Sequence, residues 1–455
     1  MSFVEQNQSW FEGLSKKLFL ALQGSEEASL GLHCEDTDFV RFNGGKVRQT
    51  TAVDIRDLSL TFQNRGRRVS FGLSGTGRLK DDSEKLLQLL ERARHEVSHL
   101  PEDPGVSPFE NHGLSHQNFT GQLLTAPEIP AVVEKSADQL DLAGLYAGGT
   151  IIKASRNSKG QSHWFSTRSF FLDYSLYTVN ESGENKAVKN VYAGRDWETD
   201  RFCHGLGNDT IKLAMLKRPT IDVKPGEYRV YFAPAAVSSL VDILSWGALG
   251  YRSLKQGKCA FRKVADKEIQ LSRKINLREN FNLGLRPRFN SLGEMAPETL
   301  QLIEGGEIKN FLVSSRTAKE YGIESNGAAQ GFFSEEALQS PELGTGDLDA
   351  AKAIQKLGTG LFVANLHYLN WSDMQSARVT GMTRYACFWV ENGAIKGPIK
   401  DLRFDDSFFH FWSENRLEAL TKDAEIEPNT DTYERRNLGG NKIPGMLVDG
   451  FRFTL

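Results

Sequence analysis

Residues 95–99 of the chain read His95-Glu96-Val97-Ser98-His99. Two histidines one helical turn apart can share a zinc ion, and the glutamate between them can take a proton from a metal-bound water. The helix that would carry them argues against that chemistry. With Leu86 set at 0° and about 100° per residue, Leu86, Leu90, Ala93, Val97 and Leu100 fall within roughly 40° of one line. On the same wheel His95 falls near 180° and His99 near 220°, about opposite the apolar stripe. A catalytic zinc needs a third protein ligand and a wall that excludes water, and an outward face supplies neither. The favoured reading is a solvated helix end whose histidines complement the C-terminal dipole.

The other reactive side chains form weaker patterns. His33-Cys34 and Cys203-His204 are adjacent pairs. Neighbouring residues seldom reach one metal, and C-x-x-C is missing, so these read as buried thiols beside incidental histidines. Gly72-Leu-Ser-Gly75 is only part of a G-x-S-x-G elbow. Phosphate-binding loops and dinucleotide fingerprints do not occur. Asp242 is the only acidic residue in the apolar stretch 235–255 and is expected to be buried and satisfied by a backbone N–H. No catalytic, cofactor-binding or metal-binding residue is assigned to the chain.

These residues must be positioned by mixed elements. Leu14, Leu18 and Leu22 predict a helix over 10–23, and Gly24 stops it. Short β-prone runs follow at 38–42, 46–55 and 58–62. The apolar stripe from Leu86 predicts a helix over 82–100, capped by Asp82 or Ser83. Residues 101–130 hold five of the fourteen prolines and form the clearest linker. Beyond it the patterns predict a helix near 127–143, strands over 145–180 and a helix over 187–216. Lys224-Pro225-Gly226 marks a further boundary, followed by a strand at 228–232 and a buried helix over 235–255. The remainder alternates strands with Gly turns. Asn43-Gly44-Gly45-Lys46, Glu304-Gly305-Gly306-Glu307 and Glu391-Asn392-Gly393-Ala394 each have the turn pair of a two-residue hairpin. The expectation is an α+β fold in three regions, 1–100, 101–222 and a β-rich 223–455, with antiparallel sheets, hairpins and packed helices.

Composition narrows the function classes. The 455 residues include 55 Lys+Arg and 58 Asp+Glu, a formal charge of −3. A near-neutral chain lacks the electrostatic footprint of a nucleic-acid binder, and Arg65-Gly66-Arg67-Arg68 reads as a solvated loop. Four cysteines (Cys34, Cys203, Cys259, Cys387) make no disulfide framework. No run approaches the roughly 18 apolar residues of a membrane span. A cytoplasmic location without membrane association is expected, which leaves the Asn-x-Ser/Thr sequons at Asn7, Asn118, Asn180, Asn208 and Asn370 incidental.

Residues 299–327, from Thr299-Leu-Gln-Leu-Ile-Glu-Gly-Gly through Arg316-Thr-Ala-Lys-Glu-Tyr-Gly322, resemble the TldD/PmbA family. Gly358-Thr-Gly-Leu-Phe-Val363 and Val390-Glu-Asn-Gly-Ala-Ile-Lys-Gly-Pro-Ile-Lys400 are similar to its C-terminal pattern. The resemblance implies an α+β fold and cytosolic peptide processing by a dimer of related subunits. It further implies that TldD-type subunits hold zinc through His-Glu-x-x-x-His on a helix and a late thiolate, which PmbA-type (TldE) subunits lack. Here Leu240-Val-Asp-Ile-Leu-Ser-Trp-Gly247 stands at that place, with Asp242 and Gly247 for the histidines and Ile243 for the base. No cysteine follows Cys387. The chain is therefore read as a PmbA/TldE-type member without zinc of its own. It would be inactive alone and would partner a zinc-bearing TldD-type subunit, or itself, in processing peptides or unfolded proteins. Two readings stay beside it. One is an independent zinc peptidase using His95, Glu96 and His99. The other is a self-associating modulator without enzymatic activity, as the family's older association with DNA gyrase suggests.

Overall fold

The computed structural model describes residues 1–330 and 336–454. Helix α1, Phe3–Leu20, begins at a capping box in which Ser2 accepts from the Glu5 backbone N–H and Glu5 accepts from that of Ser2. It therefore starts seven residues before the leucine spacing suggested. Strands β1 (Glu27–Asn43), β2 (Lys46–Asn64) and β3 (Arg67–Ser74) follow as a meander. The predicted pieces 46–55 and 58–62 are one strand, because β1 pairs along nearly all of its length.

Helix α2 spans Leu79–Val97 and not 82–100. Arg78 occupies its N-cap without a side-chain bond. Asp82 does not cap the helix. It is fully buried and accepts from Trp10 Nε1 at 3.1 Å and from the Thr76 backbone N–H at 3.0 Å. That contact ties α1, α2 and the β3–α2 loop together.

The next strands, β4 (Leu114–Phe119), β5 (Leu142–Asn157), β6 (Ser162–Val179) and β7 (Asn185–Gly194), join the first three in a seven-stranded sheet. Its order is β3-β2-β1-β5-β6-β4, with β7 also on β6. Helix α3 is only Glu128–Ser136, and Leu142 is already in β5. The expected helix over 187–216 is divided: its first part pairs with β6 as β7, and α4 covers Thr199–Leu216. Strand pairing outweighs local helix propensity there.

Alternation assigns the faces of this sheet. Leu30, Leu32 and Cys34 of β1, Leu58 and Leu60 of β2, and Ile152 and Ala154 of β5 pack under α1 and α2 with Phe11, Leu14, Leu86 and Leu90. Each such buried leucine, isoleucine or phenylalanine contributes roughly 1.5–3 kcal/mol. The intervening residues, including Asp57, His33 and Lys153, face the other way.

The C-terminal region carries a mixed thirteen-stranded sheet. Its strands are β8 (Gly226–Phe232), β9 (Leu277–Asn280), β10 (Thr299–Glu304), β11 (Glu307–Ile308), β12 (Pro341–Leu343), β13 (Gly360–Val363) and β14 (Asn365–Asp373). They continue as β15 (Arg378–Arg384), β16 (Phe388–Glu391), β17 (Ala394–Pro398), β18 (Arg403–Ser407), β19 (Leu417–Pro428) and β20 (Gly440–Phe453). The main path runs β11-β10-β9-β12-β20-β8-β13-β16-β17. The fold is thus α+β, as expected. All three turn pairs form the tight hairpins: φ is +59° and +70° at Gly44 and Gly45, +56° and +78° at Gly305 and Gly306, and +51° and +72° at Asn392 and Gly393.

The expected helix over 235–255 is broken. Helix α5 covers Pro234–Asp242, one 3-10 turn covers Ile243–Ser245, and α6 covers Tyr251–Lys255. Gly247, at φ +92°, supplies the left-handed residue at the break. Leu240, Val241 and Leu244 lie in the large C-terminal core with Phe232, Trp412 and Phe451.

Candidate functional site

The structure places His95 and His99 on the solvent side of α2, as the wheel predicts, but His99 lies beyond the helix end at Val97. Their rings are 4.8 Å apart. Glu96 is held by Arg92, with Oε1 2.6 Å from Nε. His99 Nδ1 lies 2.9 Å from the carbonyl of His95. Among the described residues no group of three or more His, Cys, Asp or Glu side chains is placed to hold a metal.

The His33-Cys34 pair is split between the two faces of β1. Cys34 points into the helix-covered core, where burial raises its thiol to about 12, and His33 points to the opposite face. Cys203, expected to be buried, is instead exposed beside His204 on α4. Cys387 is buried, donates to the Arg384 carbonyl at 3.2 Å and is pushed up to about 11 by burial.

At the end of α5, Asp242 is neither buried nor bonded to a backbone N–H. It projects into a cavity of about 430 Å³, where Asn441 Nδ2 donates to its Oδ1 at 2.8 Å. The same amide donates to Ser238 Oγ at 2.8 Å. Ile243 is buried in the apolar core, and Gly247 sits past the helix in a turn. A zinc ion at the place the resemblance indicates would find one carboxylate, already hydrogen-bonded. Neither an imidazole nor a base stands at the two other positions. The residues do not fit that metal.

A larger cavity, of about 630 Å³, adjoins this one; Arg286, Gln339 and Leu438 line both. Its floor is the face of the seven-stranded sheet opposite α1 and α2. Asp57, His33 and Lys153 stand directly opposite one another across β2, β1 and β5. Its other walls come from the C-terminal region: Glu279 and Phe281 around the end of β9, the segment 286–291, and Arg435 to Leu438 before β20. A row of polar side chains on a sheet face is costly to bury unless something answers it.

Several of these groups are answered within the protein. Arg435 Nη1 lies 3.2 Å from Asp57 Oδ2. The buried Arg436 donates from its backbone N–H to Glu35 at 3.0 Å and from Nη1 to the Ser169 carbonyl at 2.8 Å. Arg286 donates to the Leu438 carbonyl and to Gln339 Oε1. Glu279 accepts from the backbone N–H groups of Gln339 and Ser340, yet burial still raises its carboxyl to about 7.

Two groups are left over. His33 is 6% exposed, and neither ring nitrogen has a hydrogen-bond partner among the described residues. Its closest carboxylate, Glu35, is 4.0 Å away, outside hydrogen-bond range. Glu35 thus reaches His33 only at the limit of ion-pair range, and Lys153 has no anionic partner within that range among the described residues. Burial, reinforced by Arg435 and Arg286, holds its ammonium down at about 8. The sequence does not mark this site. His33 reads there as incidental, and Lys153, Arg286 and Arg435 carry no motif; they meet only when the C-terminal region closes over the sheet.

The chain is thus an α+β protein in which the C-terminal region roofs a cavity over one face of the seven-stranded sheet. Residues 225–455, just over half the chain, match the PmbA/TldA metallopeptidase C-terminal domain. The chain belongs to the PmbA/TldD family and is a PmbA/TldE-like member of it. It is 24% identical over 295 residues to a metalloprotease PmbA homologue of Haemophilus influenzae, covering 61% of each chain. It is 25% identical over 162 residues to the metalloprotease PmbA of Escherichia coli O157:H7, covering 36% of this chain and 32% of that one. The match therefore spans less than two thirds of either relative. The fold is shared with TldE of Thermococcus kodakarensis, at a TM-score of 0.79 and 15% identity over 98% of this chain and all of that one. It is shared too with a Thermotoga maritima protein described as a modulator of a DNA gyrase, at a TM-score of 0.77 and 14% identity, with the same coverage. Among the described residues no helix is long and apolar enough to cross a membrane.

Proposed function

We propose that the chain is the non-catalytic subunit of a cytoplasmic peptide-processing complex. Its partner is a zinc-bearing TldD-type chain, and its substrates are peptides or unfolded proteins. The observation that carries this reading is a family scaffold with side chains at the metal position that cannot do the chemistry. Asp242 is engaged by Asn441, Ile243 is in the core and Gly247 has no side chain. A zinc peptidase built from such a scaffold needs its metal, its base and its thiolate from another chain. In this role the chain supplies walls of the reaction chamber and a surface for assembly.

The test is co-expression with the TldD-type chain of the same organism. A stable heteromeric complex is expected, with zinc and peptidase activity in the complex and neither in this chain alone. Stoichiometric zinc and peptidase activity in the isolated chain would overturn the proposal. A homodimer that never exchanges with the TldD-type chain would overturn the partnership.

A further inference from the structure

The polar floor of the large cavity is an unfinished site. His33 and Lys153 are directly opposed on β1 and β5, so their side chains leave the sheet side by side on the same face. His33 is buried with both ring nitrogens unsatisfied, and Lys153 has no counter-ion among the described residues. Leaving such donors without partners is costly, and a bound anion would remove the cost. Burial holds the His33 ring below the usual histidine range, so it stays neutral near pH 7 and offers one N–H donor. Arg286 and Arg435 add positive charge from the facing walls.

The walls also limit what the anion is. Phe281, Phe289 and Leu300 give the cavity an apolar side. Asp57 on the floor and Glu35, 4.0 Å from His33, stand among the cations and oppose a second negative charge on the ligand. A volume of about 630 Å³ takes a ligand of two or three residues. A planar monoanion with an apolar body fits these three conditions together.

We propose that this cavity binds the free C-terminal carboxylate of a short peptide with apolar side chains, through Lys153 and His33. Its peptide nature rests on the role proposed above; the anionic head rests on the site alone. The site is then a specificity pocket in a subunit that does no chemistry, holding a peptide by its end.

Calorimetry on the purified full chain tests this with acetyl-Leu-Phe as the free acid and as its C-terminal amide. The acid binds, and the amide binds roughly ten- to a hundredfold more weakly, the loss expected when a charge-assisted bond is removed. Lys153→Met lowers affinity for the acid by a similar factor and leaves the amide unchanged, and Lys153→Arg retains part of the preference. Equal binding of acid and amide, no binding of either, or wild-type affinity in Lys153→Met would overturn the proposal. Phenylacetate binding as tightly as the acid, with the same dependence on Lys153, would overturn the peptide assignment and keep the anion site. Assembly of Lys153→Met with the TldD-type chain, followed separately by light scattering, reports on the subunit role independently of these outcomes.

Discussion

Arg435 Nη1 and Asp57 Oδ2 lie 3.2 Å apart although 378 positions separate them in the chain. The pair joins β2 in the seven-stranded sheet to the segment before β20 and closes one side of the large cavity. Both side chains are over one third exposed, so solvent screens the interaction. Asp57→Asn is expected to lower unfolding stability by less than about 1 kcal/mol. Urea denaturation reads this directly, and a loss of several kcal/mol would show the pair to be a structural anchor.

Asp82 is the opposite case. It is fully buried and accepts from Trp10 and Thr76. Asp82→Ala leaves the indole N–H and the Thr76 donors without partners and is expected to cost about 2–4 kcal/mol. An unchanged urea midpoint would contradict this role for Asp82 in joining α1 to α2.

Lys153 links stability to pH. Its ammonium titrates near 8 in the folded protein, against an ordinary value of about 10.4. The groups around it are His33 and Cys34 from β1, Asp57 from β2, and Arg286 and Arg435 from the C-terminal region. Below pH 8 both states carry the proton and the buried charge costs most. Between about pH 8 and 10.4 the folded state has released a proton that the unfolded state still holds, so stability rises with pH. Lys153→Met should therefore stabilise the chain at pH 7 by on the order of 2 kcal/mol, with the gain shrinking towards pH 10. Stability of the two proteins, compared at each pH, checks the sign. A variant less stable at pH 7 would contradict it.

The hairpin glycines differ in their surroundings. An added Cβ at Gly44 meets nothing within 4 Å, whereas at Gly306 it would stand 2.2 Å from the Leu271 carbonyl oxygen. Gly44→Ala is expected to cost about 1 kcal/mol, the strain of a positive φ. Gly306→Ala adds a backbone collision and should lower the melting temperature several times further. Equal losses would rule out the close approach.

The H-E-x-x-H sequence gives a negative prediction. Glu96→Gln and His99→Ala should leave zinc content, and any activity of the assembled complex, unchanged, because Glu96 is paired with Arg92 on α2 and His99 is exposed past the end of that helix. Metal analysis and a peptide assay on the complex read this. A loss of bound zinc in either variant would revive an independent metal site.

Local chemistry was legible wherever a short segment contains its own reason. The Gly-Gly and Asn-Gly pairs dictate tight hairpins because both central residues need positive φ. The stripe from Leu86 to Val97 gives the buried face of α2 and turns His95 outward. The start of α1 was also written in the chain, as Ser2-x-x-Glu5, although the leucine spacing alone misses it. The metal position could be judged from residue type, since neither Ile243 nor Gly247 can do what a zinc site requires.

What depends on distant partners was not legible. Residues 187–194 become β7 because β6 offers an edge, and Asp82 leaves capping because Trp10 and Thr76 reach it. The large cavity exists only because the C-terminal region covers one face of the sheet. The sequence by itself determined the turns, the amphipathic faces and the family. Tertiary structure decided which polar residues lost their water, since desolvation depends on what packs above a side chain and not on its neighbours along the chain. That is why His33, unremarkable as His-Cys in the sequence, ends beside Lys153 with neither ring nitrogen answered among the described residues.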